Sequence, residues 1–123
     1  MISLEVYKLL HILGVLVTFA ALGGLALTVL NGATKQSSGV RKTIAMAHGI
    51  GTFVILLGGF GALVRLGVTD GLPGWIFVKL AIWLVIAGLV VVPYRKPELA
   101  KPIFWSLPLL GAVSVAMALW KPF

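Results

Sequence analysis

Apolar residues gather into four long runs, at about residues 7–30, 44–66, 75–92 and 103–120, and polar residues are confined almost entirely to the segments between them. A hydrocarbon core about 30 Å thick is crossed by about 20 apolar residues in a helix, so the pattern predicts four membrane spans and an all-α integral membrane fold. The first run is too long for a signal-peptide core and reads as a membrane helix rather than a cleaved leader. Between runs one and two, NGATKQSSGVRKT supplies the turn formers Asn31, Gly32, Ser37, Ser38 and Gly39. The next connection, GVTDGLPG, holds Asp70 and Pro73 and is short enough to make spans two and three antiparallel neighbours. The last, PYRKPELAKP, carries prolines that no helix interior accepts. Short loops throughout predict one domain over 1–123, an up-and-down bundle of four transmembrane helices.

Composition agrees with that pattern. The chain is 60% hydrophobic and 11% charged, whereas soluble domains carry about 25% charged residues. A net charge of +7 raises nucleic acid as a partner, but the Lys and Arg are spread over helix ends and loops rather than one patch, which argues against it. The lipid bilayer is the expected surrounding. Six basic residues fall in the 31–43 and 93–102 connections, namely Lys35, Arg41, Lys42, Arg95, Lys96 and Lys101, against four (Lys8, Arg65, Lys79, Lys121) at the other level. The positive-inside rule then puts both termini outside the cytoplasm. Tyr7, Trp75 and Trp120 fall at one expected interface and Tyr94 and Trp105 at the other, leaving Trp83 in mid-membrane. Without cysteine there is no disulfide or thiolate chemistry, so any redox role needs a cofactor.

Ionisable residues inside a span are functional candidates by default. His11, Lys79 and Arg65 share one level, and His48 lies near the other. At 1.5 Å per residue, 11–30 descends about 28 Å and 44–48 climbs back about 6 Å, so the histidines stand roughly 22 Å apart in depth and cannot ligate one iron within a subunit. A bis-histidine site would need a second copy of the chain, as in a two-fold homodimer. His11 shares a helix face with Gly14, Val15 and Thr18, and His48 with Gly51, Thr52, Ile55, Gly58, Gly59 and Ala62. A histidine among glycines leaves a slot for a flat macrocycle and is a standard haem ligand. The cations Arg65 and Lys79 suit propionate carboxylates. Each histidine has an alternative role, a hydrogen bond to a carbonyl or hydroxyl on a neighbouring helix. Small residues spaced by four, Ala20 with Gly24, Ala47 with Gly51, Gly58 with Ala62 and Ala112 with Ala116, predict close-packing faces.

Lys8-Leu-Leu-His11-Ile-Leu near the start and Gly74-Trp75-Ile-Phe-Val-Lys79-Leu later resemble the first- and third-helix signatures of a group of small bacterial membrane proteins. The group comprises the HemJ-type membrane protoporphyrinogen oxidases, the SirB-like proteins and the CopD-like copper-resistance domains. The resemblance covers about half the chain, with Lys-x-x-His and Trp-x-x-x-Lys as its specific parts. It implies a helical bundle in the bacterial inner membrane that holds haem b, with His11 as an axial ligand, Lys79 as a functional residue and His48 similar to the second-helix histidine of SirB-like proteins. The chain departs from the oxidase pattern beyond His11, where residues 21–27 are wholly apolar.

The leading expectation is therefore a small b-type cytochrome that passes electrons, or, if an enzyme, a membrane haem-dependent oxidoreductase. Two other classes stand beside it: a structural or assembly subunit of a membrane complex, and a copper-resistance type of metal transport protein. Met46 and Met117 are too few and too far apart in sequence for a dedicated soft-metal path, and no Asp or Glu lies inside a span to couple proton-driven export.

Overall fold

A computed structural model of the chain describes residues 2–68 and 71–121; Asp70, in the expected turn between spans two and three, lies outside them. Among the described residues the regular elements are all helical. They are α1 (Leu4–Leu30), α2 (Arg41–Arg65), α3 (Gly74–Leu89), α4 (Val92–Arg95), one 3-10 turn (Pro97–Leu99) and α5 (Ala100–Trp120).

Local chemistry sets the ends of these helices. Ser3 caps α1, its Oγ accepting the Val6 N–H at 3.3 Å, and Glu5 lies in the first turn where the helix dipole favours an acid. Both α1 and α2 close in the same way. Beyond α1, Gly32 N–H bonds Val29 O at 2.9 Å and Ala33 N–H bonds Thr28 O at 3.1 Å; beyond α2, Gly67 N–H bonds Val64 O and Val68 N–H bonds Leu63 O, each at 3.0 Å. This pairing requires a left-handed residue after the helix, and Gly32 and Gly67 supply it with φ of 95° and 81°. Gly32→Ala is expected to cost about 1 kcal/mol, read as a lower midpoint of unfolding in mixed micelles, because an L side chain resists that backbone.

The sequence pattern and the structure differ at the third run. The apolar run extends to Val92, but α3 ends at Leu89. Pro93 is the reason: it has no N–H to offer the carbonyl of Leu89, and its ring collides with that carbonyl if the helix continues. The chain turns and starts α4, where Pro93 sits in the first turn. Consequently α3 has 16 residues, about 24 Å of helix, whereas among the described residues three helices are long and apolar enough to cross a membrane: α1, α2, and α5 with the turn before it.

α1 is the hub. It packs most extensively on α2 and also on α5, while α3 leans mainly on α5 and touches α2 sparingly. The α1–α2 seam is antiparallel and closes on small residues. A Cβ at Gly14 would lie 2.8 Å from Ile55 N and 2.9 Å from Gly51 O, and a Cβ at Gly51 would strike the hydroxyl of Thr18. Further along, Gly58 faces the backbone of Tyr7 and His11, and Gly61 faces the ring of Tyr7. Of the expected small-residue faces, Gly51 and Gly58 pack as predicted. Gly24 has nothing within 4 Å of where its Cβ would stand, and Ala20 and Ala112 are exposed. The partner residues on α1 turn out to be Gly14 and Thr18, not Ala20 and Gly24.

Buried apolar side chains gather toward the Tyr94 end. One cluster joins Ala21, Leu25, Val29, Ile44 and Ala100; a second joins Leu22, Ile82, Ile86 and Leu107. At the Trp75 end α1 and α2 stay in contact through Gly58 and Gly61, and a separation opens between that pair and the helices α3 and α5.

Candidate functional site

That separation leaves a cavity of about 750 Å³ walled by α1, α2, α3 and α5. Its size lies within the usual 300–1,000 Å³ of small-molecule sites. The walls are apolar and aromatic, including Val15, Phe19, Leu56, Leu63, Trp75 and Trp83. Polar side chains are few: Lys8, His11, Lys79, Ser114 and Lys121. No Asp or Glu is among the described residues that line it.

The structure brings His11 and Lys79 to this one cavity, as their shared level in the sequence predicts. The His11 ring is held from α2. Its Nδ1 lies 2.8 Å from the carbonyl of Ile55. A carbonyl only accepts, so Nδ1 carries the proton, and the Nε2 lone pair is the one left to bind a cation or accept a donor. Metal-binding histidines are commonly oriented in this way, the second ring nitrogen donating to a backbone carbonyl. Gly59 forms the seat of the ring: a Cβ there would stand 3.1 Å from Nδ1 and 3.2 Å from Cε1.

His48 occupies a different place. It is buried, absent from the cavity wall, and its Nε2 lies 3.0 Å from the carbonyl of Ile86 in the last turn of α3. The last four carbonyls of a helix lack intrahelical donors, and Ile86 is the first of those four. His48 therefore serves as a cap delivered from another helix. Next to it the Trp83 indole N–H donates to Thr52 O at 3.1 Å, while the Thr52 hydroxyl donates to His48 O at 2.9 Å. A partly buried indole N–H needs such an acceptor, and Thr52 O meets that need. These cross-links hold α3 to α2 on the sealed side of the cavity.

Two histidine sites exist, as the depth argument predicts, but closer together. His11 packs against Gly58, ten residues beyond His48 on α2, which is about 15 Å along the axis rather than 22 Å. The helix starts at Arg41, not at 44, so His48 already stands seven residues inside it.

Other expected site residues lie elsewhere. Gly14 and Gly51 are in the α1–α2 seam, where opposing backbone fills the space expected for a macrocycle; Gly59 and Gly111 are the glycines on the cavity wall. Arg65 is exposed in the last turn of α2 and does not line the cavity. In its stead come Lys8 and Lys121. Lys121 Nζ sits 5.5 Å from the centroid of the Trp75 ring, joining the end of α5 to the start of α3. The sequence pattern hides this pairing, because 46 residues separate partners that only the antiparallel course of α3 and α5 brings together. Among the described residues no group of three or more His, Cys, Asp or Glu is placed to enclose a metal ion. No family model, curated protein or solved structure matches this chain.

Proposed function

We propose that the chain is a small multi-pass membrane protein that binds haem b in the cavity at the Trp75 end, with His11 as axial ligand, and that it serves electron transfer. One observation carries this reading: His11 has Nδ1 fixed by Ile55 O and keeps Nε2 for a ligand while lining a cavity of about 750 Å³. Lys8, Lys79 and Lys121, which line the same cavity, suit the two propionates of the macrocycle. A bound haem supplies one-electron redox chemistry, with its potential tuned by the axial ligand and by burial. The residues of this chain hold the imidazole tautomer, exclude water through the apolar wall and balance carboxylate charge. A further ligand to the iron would come from water, from His11 of a second copy, or from Lys79 in place of its role toward a propionate. In this reading α3, short as it is, joins α1, α2 and α5 as a fourth span, both termini lie outside the cytoplasm, and the membrane is the bacterial inner membrane.

An assembly subunit whose histidines only tie helices together is the competing reading, and it is favoured by both histidines donating to carbonyls across helices. A reduced-minus-oxidised spectrum of protein purified from haem-replete cells separates the two. The haem reading expects a Soret band with sharp α and β bands on reduction; a featureless spectrum sinks it.

A further inference from the structure

Lys121 has no place in the sequence signatures, yet the fold brings it, just past the end of α5, to the mouth of the cavity. There it stands over Trp75, with Lys8 and Lys79 lining the same cavity and no acidic side chain among the described lining residues. Three basic side chains around an apolar chamber with no acidic partner among the described lining residues favour a ligand that carries negative charge. The body of such a ligand is apolar, because the rest of the wall is. Its charge is negative, because Lys8, Lys79 and Lys121 are the charged side chains among the described lining residues, and Lys121, beside Trp75, marks the end of the cavity where α5 stops.

We infer that the cavity selects an amphiphile by a carboxylate at the membrane interface, and that Lys121 is the residue that reads it, leaving the Trp75 face to meet the acid. This deepens the haem reading and rests on it only for the identity of the apolar body. Lys121 is suited to the role because it lies just past the end of α5, where its αL backbone (φ 45°, ψ 58°) caps the helix and the side chain alone has to move. Its contact with Trp75 is a cation–π pair, a weak hold that a carboxylate outcompetes.

The test uses the full chain in neutral detergent and iron-free probes, so that ligation by His11 plays no part. Protoporphyrin IX and its dimethyl ester are titrated, then palmitate and methyl palmitate, with tryptophan fluorescence as the readout and Trp75→Phe identifying the responding ring. The free acid of at least one pair is expected to bind about tenfold or more tightly than its ester, since a hydrogen bond to a charged group is stronger than one to a neutral ester. Lys121→Gln should remove most of that preference, Lys121→Arg should keep it, and added salt should narrow it. Equal binding of acid and ester, an acid preference intact in Lys121→Gln, or no binding of any probe overturns the inference. Acid-selective binding of palmitate alone, with no haem retained by the purified protein, upholds it and removes the haem reading. A haem spectrum that depends on His11 without acid selectivity does the reverse.

Discussion

Gly58→Val should be among the most damaging single substitutions in the chain, lowering stability by about 3 kcal/mol or more, the top of the range for overpacking. Even the first carbon of a side chain has nowhere to go: a Cβ at Gly58 would lie 2.5 Å from His11 N, 2.7 Å from Tyr7 O and 2.8 Å from His11 Cα. All three are main-chain atoms of α1, so no rotamer change relieves the collision and the two helices must part. Parting them also withdraws His11 from Ile55 O, so ligand binding should fall with stability. The measurement is the unfolding midpoint in mixed micelles, set against Gly49→Ala on the same helix. Gly49 faces open space and should shift stability by no more than about 0.5 kcal/mol. Similar midpoints for the two variants would show that the α1–α2 seam is looser than described.

The two histidines should separate cleanly under substitution. His11→Ala is expected to abolish the haem spectrum while leaving the fold nearly intact, because the ring is only half-buried and its loss frees a carbonyl that already sits inside α2. His48→Ala should do the opposite. It leaves Ile86 O without its donor in a sealed part of the protein, at a cost of about 1–3 kcal/mol, and retains the Soret band. His48→Gln, which can still donate, should recover much of the lost stability. Loss of the spectrum in His48→Ala at a temperature where the variant remains folded would move the site to the Tyr94 end.

Much of this was legible in the chain before any coordinates. Apolar run length placed α1, α2 and α5 closely, because membrane thickness fixes helix length with little help from tertiary packing. The shared level of His11 and Lys79 followed from counting residues. Where the reading missed, the cause was an interaction between elements that counting does not see. The end of α3 at Leu89 required taking the clash of Pro93 four residues back. Glycines on the histidine faces read as a slot for a ligand, yet a gap in one helix is as readily filled by another, and opposing backbone occupies Gly14, Gly51 and Gly58. Lys121 carried no signal, since its partner Trp75 lies far off in sequence and its importance arises only from the antiparallel return of α5.

The cavity wall is incomplete in one respect. Ile12, Leu16, Val115 and Leu119 line it and yet are 55%, 63%, 55% and 69% exposed. In a bilayer, lipid acyl chains finish the enclosure that the protein begins. The amphiphile proposed above would then reach the chamber by sideways diffusion, without first crossing water and without unlatching the His48 and Trp83 cross-links. The barrier to exchange becomes a property of the solvent. Ligand uptake into proteoliposomes should therefore slow sharply when the lipid is cooled through its gel transition, while the affinity at equilibrium, set by the lysines and His11, changes far less.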